Sequence, residues 1–139
     1  MNRILDRVSP AQRSLIAASF AFIFYGAWAY WVNSLHGTAL ALKAGVVQGG
    51  YSFVLTFSMT LIIERLYLIL LNALNNYLLV VWLTITLTCT VIFGTSWGIH
   101  VLAGTPEIFE TVLLGYVLGS IYSIAYVYGL ARIRNEEMA

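Results

Sequence analysis

The sequence predicts an all-α integral membrane protein with four transmembrane helices. Its 139 residues are 60% hydrophobic and 9% charged, whereas soluble domains carry about 25% charged residues. Three stretches reach or nearly reach the ~20 apolar residues that span a bilayer. They are Ser14 to Val32, Ala44 to Ile63 and Thr111 to Ala131. Leu66 to Pro106 contains no full charge and holds the remaining span. The length allows a single domain, residues 1–139.

The distribution of basic residues predicts the orientation of these helices. With a cytoplasmic N-terminus, six of the seven basic residues face the cytoplasm, and Lys43 alone lies outside. The positive-inside rule favours this arrangement. We expect two helical hairpins with both termini cytoplasmic, in a plasma membrane or a bacterial inner membrane. The six residues are Arg3, Arg7, Arg13, Arg65, Arg132 and Arg134.

Helix 1 has a clear start in the sequence. Ser9 is a favourable N-cap, and Pro10 suits the first helical position because its missing N–H has no partner there in any helix. We expect the helix to run to about Val32, where Trp28 and Trp31 suit the outer membrane interface.

Helix 2 is too long for a simple perpendicular span. From Thr38 to the asparagine-rich turn at Asn72 it would measure about 52 Å, against a hydrocarbon core of about 30 Å. The glycines at 45, 49 and 50 offer a place to bend. The sequence therefore predicts a surface-lying segment from about Thr38 to Val47, followed by a span that starts near Gln48.

Polar residues recur along helix 2 at a spacing of four, which places them as neighbours on the helix surface. We call this set the polar ladder: Gln48, Ser52, Thr56, Thr60 and Glu64. Glu64 lies about 24 Å along the helix from Gln48, and an ionisable group within the membrane is a functional candidate. The ladder indicates either a path for a substrate or proton, or a packing stripe of small residues whose hydroxyls bond their own helix.

Helices 3 and 4 carry further packing signals. The threonines of "TITLTCT" occupy two faces of helix 3, which favours a central position. Helix 4 is expected to begin with Thr105 as N-cap and Pro106 at its first position. Gly115, Gly119 and Ser123 then form a stripe of small residues for close helix contact, either within the chain or between subunits.

Polar residues also gather near the predicted outer ends of the helices. This outer-surface polar cluster contains His36, Lys43, His100, Glu107 and Glu110. Both histidines are expected at the membrane interface. No set of residues has metal-ligand spacing, so we expect neither a metal nor another cofactor.

The function classes that remain are few. The single cysteine, Cys89, excludes a paired-thiol redox enzyme. No nucleophile or acid–base pair points to an enzyme, and no basic patch points to nucleic acid. The first prediction is an oligomerising accessory or structural subunit, with membrane lipid and either further copies of itself or a larger membrane protein as partners. The alternative is a small transport or flippase-type module for an amphiphilic or lipid-linked substrate, proton-coupled through Glu64.

Overall fold

The computed structural model describes residues 9–137, and within this range the chain is entirely helical, without strands. Its helices are α1 (Pro10–Asn33), α2 (Thr38–Ala73), α3 (Tyr77–Ala103) and α4 (Ile108–Glu137), with a single 3-10 turn at Ser34–His36. All four helices are long and apolar enough to cross a membrane. The prediction of four such helices is confirmed. We name the end with the connections 34–37 and 104–107 the outer end, after the predicted orientation.

The predicted start of α1 is confirmed. The Ser9 side chain accepts a hydrogen bond from the Gln12 backbone N–H at 3.2 Å, and the Gln12 side chain accepts one from the Ser9 N–H at 2.9 Å. This reciprocal capping box satisfies two donors that the first helical turn leaves without partners. Pro10 occupies the first helical position.

The prediction of a separate surface-lying segment before the second span is wrong. α2 is one continuous helix of 36 residues from Thr38 to Ala73. The stretch expected to lie on the membrane surface packs against α1 instead, with Ala41 and Ala44 buried. At about 54 Å, α2 exceeds the thickness of the hydrocarbon core, so in a membrane it must tilt or extend past the core.

Two glycines of α2 lie in close contact with α1. A Cβ on Gly45 would lie 2.9 Å from the Gly26 carbonyl oxygen, and one on Gly49 would lie 2.8 Å from the Phe22 carbonyl oxygen. Only residues without a Cβ allow the two backbones to approach this closely. Gly50 meets nothing within 4 Å. Gly45 and Gly49 therefore fix α1 against the outer half of α2.

The start of α4 also differs from the prediction. The helix begins at Ile108, and the Thr111 N–H donates to the Glu107 carbonyl. Thr105 is not the N-cap, because its backbone N–H and its side chain both bond to His100. Gly104 ends α3 in the left-handed conformation, with φ of 67°. Thr105 thus belongs to the end of α3.

α2 and α3 run antiparallel, as two contacts show. Gln48 bonds to His100, while Tyr51, further along α2, bonds to Thr95, which lies earlier in α3. α4 packs mainly on α3, and α1 packs mainly on α2. Towards the inner end, the helices enclose an apolar core that includes Ile63, Val80, Ile92 and Val127.

Candidate functional site

A cleft of about 1060 Å³ lies among the helices. Its floor includes buried residues of α2 and α3, such as Ser52, Ile92 and Ser96. Its rim consists of α1 and α4, where Phe20 and Tyr122 are exposed. This distribution places the opening of the cleft between α1 and α4.

Four of the five residues of the polar ladder line this cleft. Gln48 and Ser52 lie at its outer end, and Thr56 and Thr60 continue towards the inner end. Glu64 does not line the cleft but lies one turn beyond Thr60. The ladder is therefore one side of a cavity whose other walls are mostly apolar.

The outer end of the cleft is closed by a buried hydrogen-bonded chain. His100 is fully buried, its Nε2 lies 2.7 Å from Gln48 Oε1, and its Nδ1 lies 2.7 Å from Thr105 Oγ1. A neutral imidazole satisfies both contacts when the Thr105 hydroxyl donates to Nδ1 and Nε2–H donates to Gln48. These two hydrogen bonds hold the Gln48 carboxamide in a fixed orientation.

A second buried contact joins α1 to the start of α4. The Asn33 amide nitrogen donates to Thr111 Oγ1 at 2.8 Å, and Asn33 Oδ1 accepts from the Glu107 N–H at 3.0 Å. The Thr111 hydroxyl donates to the Glu107 carbonyl. The Trp28 indole N–H donates to the Glu110 carbonyl at 2.9 Å. These bonds hold α1 and α4 together at the outer end, above the cleft opening.

The structure brings together only part of the predicted outer-surface cluster. His36 Nε2 and Glu107 Oε1 lie 2.7 Å apart, with both side chains about 40% exposed. Lys43 and Glu110 are exposed. The prediction that His100 lies at the outer surface is wrong, because its ring is buried between Gln48 and Thr105 and exchanges water contact for two hydrogen bonds.

Aromatic residues connect the inner part of the cleft to Glu64. Thr60 and the Tyr122 hydroxyl, which both line the cleft, are 3.2 Å apart. Tyr122 stacks on Tyr126, with ring centroids 5.8 Å apart. The Tyr126 hydroxyl donates to Glu64 Oε1 at 2.6 Å. Glu64 therefore has a partner on α4.

The small-residue stripe of α4 faces the inside of the bundle. A Cβ on Gly115 would lie 3.1 Å from the Gln48 amide nitrogen, and one on Gly119 would lie 3.4 Å from Ile92. The Ser123 hydroxyl donates to the Gly119 carbonyl at 2.7 Å. These positions make contacts within the chain, and both glycines line the cleft.

The sequence pattern predicts the ladder but not the buried contacts at the outer end. It gives no sign of the bond between Asn33 and Thr111, and it places His100 at the membrane interface. The available sign of buried polar contacts was an asparagine and a histidine close to the ends of apolar helices. The same pattern also fits residues at a membrane interface. Among the residues that the structure describes, no three His, Cys, Asp or Glu side chains are grouped to hold a metal.

No protein-family model, no curated protein and no solved structure matches the chain. A functional assignment therefore depends on the cleft, the polar residues that line it and the contacts that position them.

Proposed function

We propose that the protein is a small membrane transport module that takes an amphiphilic lipid sideways into the cleft and carries its polar head along the ladder. The observation that carries this proposal is the cleft of about 1060 Å³ with four ladder residues along one wall. Cavities that bind small molecules typically measure about 300–1,000 Å³ and are mostly apolar with a few polar groups.

The dimensions of the ladder support movement across a membrane. Gln48 and Thr60 are twelve residues apart on one helix, which corresponds to about 18 Å. This is more than half of the ~30 Å hydrocarbon core. A polar head that follows these side chains would exchange one hydrogen-bonding partner for the next instead of crossing bare hydrocarbon.

The position of the opening supports entry from the lipid phase. The cleft opens between α1 and α4, whose outer ends are held together by Asn33 and Thr111. Leu118 and Phe24 on the rim are apolar and exposed. Acyl chains can therefore stay in contact with apolar side chains while the head lies against the ladder.

The proposal assigns proton coupling to Glu64. The contacts from Thr60 through Tyr122 and Tyr126 connect this carboxylate to the inner part of the cleft. Protonation would change the bond that joins Glu64 on α2 to Tyr126 on α4. Transport should respond to a transmembrane pH difference in the parent protein and should lose this response in Glu64→Gln.

The experiment measures transbilayer movement of a fluorescent phospholipid in proteoliposomes, with dithionite to quench the label in the outer leaflet. Thr56→Trp places a large ring in the cleft and should reduce movement to the rate of protein-free vesicles. Val54→Trp is the matched control, because Val54 lies on the same helix, is 64% exposed and does not line the cleft.

The proposal is contradicted if the parent protein moves lipid no faster than protein-free vesicles do, both with and without a pH difference. Equal rates for the two tryptophan variants would also contradict it, because the cleft would then play no part. Circular dichroism of both variants checks that they are folded.

The accessory-subunit function predicted first from the sequence stays a prediction. Its helix-packing stripe, Gly115 to Ser123, makes the contacts within one chain that are described above. Those contacts leave the transport proposal with the stronger structural support.

A further inference from the structure

Three buried polar side chains meet at the outer end of the cleft. Gln48, Ser52 and Ser96 all line the cleft, and they are 1%, 4% and 3% exposed. Ser52 follows Gln48 by one helical turn, and Ser96 precedes His100 by one turn. Because α2 and α3 run antiparallel with Gln48 against His100, the two serines lie at the same level. We call these three residues the polar end of the cleft.

Two serines elsewhere in the bundle, one on α2 and one on α4, bond to their own helix, whereas the serines of the polar end do not. Ser58 and Ser123 donate to the carbonyl four residues earlier, at 2.7 Å each. This back-bond is the usual way for a hydroxyl in an apolar helix to satisfy itself. Within residues 9–137, neither Ser52 nor Ser96 makes such a bond or another one. Their hydroxyl groups are available to a molecule in the cleft.

The amide group of Gln48 is also left without a partner, on the side of the cleft. Its oxygen accepts from His100, so its amide group is left on the other side, next to Gly115. No acceptor in the described part of the chain bonds to that nitrogen. Because Gly115 has no Cβ, the space beside the Gln48 amide nitrogen is open. A Cβ on residue 115 would lie 3.1 Å from this nitrogen.

The polar end lies between the spanning helices, beside the middle of α1 and one to two turns inside the outer end of α3. Gly49 contacts Phe22, which is about 14 Å along α1 from Arg13 and about 17 Å from Asn33. Unpaired donors at such a depth are costly without a ligand or internal water.

We propose that the polar end binds the phosphate group of a phospholipid-type amphiphile, with the Gln48 amide as the specificity-determining donor and Gly115 as the residue that gives access to it. This inference rests on the proposed lipid-transport function and names its substrate class. Two amide hydrogens and two hydroxyls supply up to four donors, which suits a group with several acceptor oxygens.

The experiment measures binding of three lipids to the purified protein in detergent by native mass spectrometry. The probes are dimyristoyl phosphatidic acid, dimyristoylglycerol, which has the same chains without phosphate, and a glucosyl dimyristoylglycerol. The phosphate lipid should bind roughly tenfold more tightly than dimyristoylglycerol, because hydrogen bonds to a charged group are the stronger kind. Excess inorganic phosphate should not displace it.

Gly115→Ala should reduce this preference to near unity, because the new Cβ obstructs the amide. Gly129→Ala is the matched control on the same helix, where a Cβ meets nothing within 4 Å. Gln48→Glu keeps an acceptor for His100 but replaces the amide group with an acceptor oxygen, so it should also lose the preference.

The outcomes separate this inference from the proposed function. Equal binding of all three lipids, or a preference for the glucosyl lipid, would overturn the phosphate assignment and leave the cleft as a lipid site. Displacement by inorganic phosphate would also overturn it, since the site would then bind the free anion. If none of the lipids binds, the proposed function itself fails.

Discussion

Replacing Gly49 with alanine should loosen the contact between α1 and α2. The new Cβ would lie 2.8 Å from the Phe22 carbonyl oxygen and 3.2 Å from two atoms of the Phe22 ring. The ring can turn away, but the carbonyl belongs to the α1 backbone, so the helices must separate by about 0.7 Å to reach ordinary contact distances of about 3.5 Å. Overpacking of this kind typically costs about 1–3 kcal/mol.

Gly50→Ala provides the matched control for this prediction. It makes the same chemical change one residue further along the same helix, where a Cβ meets nothing within 4 Å. Both variants gain the higher helix propensity of alanine, about 1 kcal/mol, so this gain cancels in the comparison. Gly49→Ala should be less stable than Gly50→Ala by about 2 kcal/mol, which is roughly a 30-fold difference in the unfolding equilibrium.

The assay is reversible unfolding in mixed micelles with an increasing fraction of sodium dodecyl sulfate, followed by circular dichroism. α1 is one side of the cleft rim, so Gly49→Ala should also change lipid movement in proteoliposomes. Equal midpoints for the two variants would refute the reasoning, because they would show that the close approach of α1 and α2 does not contribute to stability.

Three further predictions concern the polar contacts and the topology. Tyr126→Phe removes the hydroxyl that donates to Glu64 and should lower the free energy of unfolding by about 1–2 kcal/mol; Tyr128→Phe, exposed on the same helix, should leave it unchanged. His100→Leu leaves its two buried partners without a hydrogen bond and should cost about 1–3 kcal/mol for each, so a parent-like unfolding midpoint would contradict the network. A cysteine at Asn75, in a cysteine-free background, should react with an impermeant maleimide only from the cytoplasmic side, and labelling of intact cells from outside would reverse the predicted orientation.

The four helices were predictable because each helix is encoded by its own residues. The length and composition of the apolar stretches are enough to predict membrane-spanning helices. The start of α1 is marked by the adjacent residues Ser9 and Pro10. The ladder was also predictable, since a spacing of four defines neighbours on one helix without any knowledge of the rest of the fold. Local patterns were therefore sufficient for these features.

Features that depend on two helices at once were not predictable in this way. Gln48 and His100 are 52 residues apart, and the sequence does not give the register between α2 and α3. Without that register, a histidine close to the end of a span is indistinguishable from an interfacial one. Thr105 illustrates the same limit, because its contact with His100 prevents it from capping α4.

The glycines were misinterpreted for a related physical reason. A missing Cβ both weakens a helix, which permits a bend, and allows another backbone to approach closely. Length alone suggested the bend at Gly45 and Gly49, under the assumption of a helix perpendicular to the membrane. The contact between Gly26 and Gly45 shows that these glycines allow α1 to approach α2 closely. Only the tertiary structure contains that information.

Packing and a substrate path were treated as competing explanations of the small polar residues, yet in this bundle the two depend on each other. Gly45 and Gly49 bring the outer half of α1 close to α2, while the inner half of α1 forms the cleft rim. Gly115 packs beside Gln48 and, through the same missing Cβ, leaves the carboxamide accessible from the cleft. A larger residue at position 115 would fill the space in which a lipid head could reach Gln48. The same small side chain that allows the helices to pack thus determines whether the polar end of the cleft can be occupied.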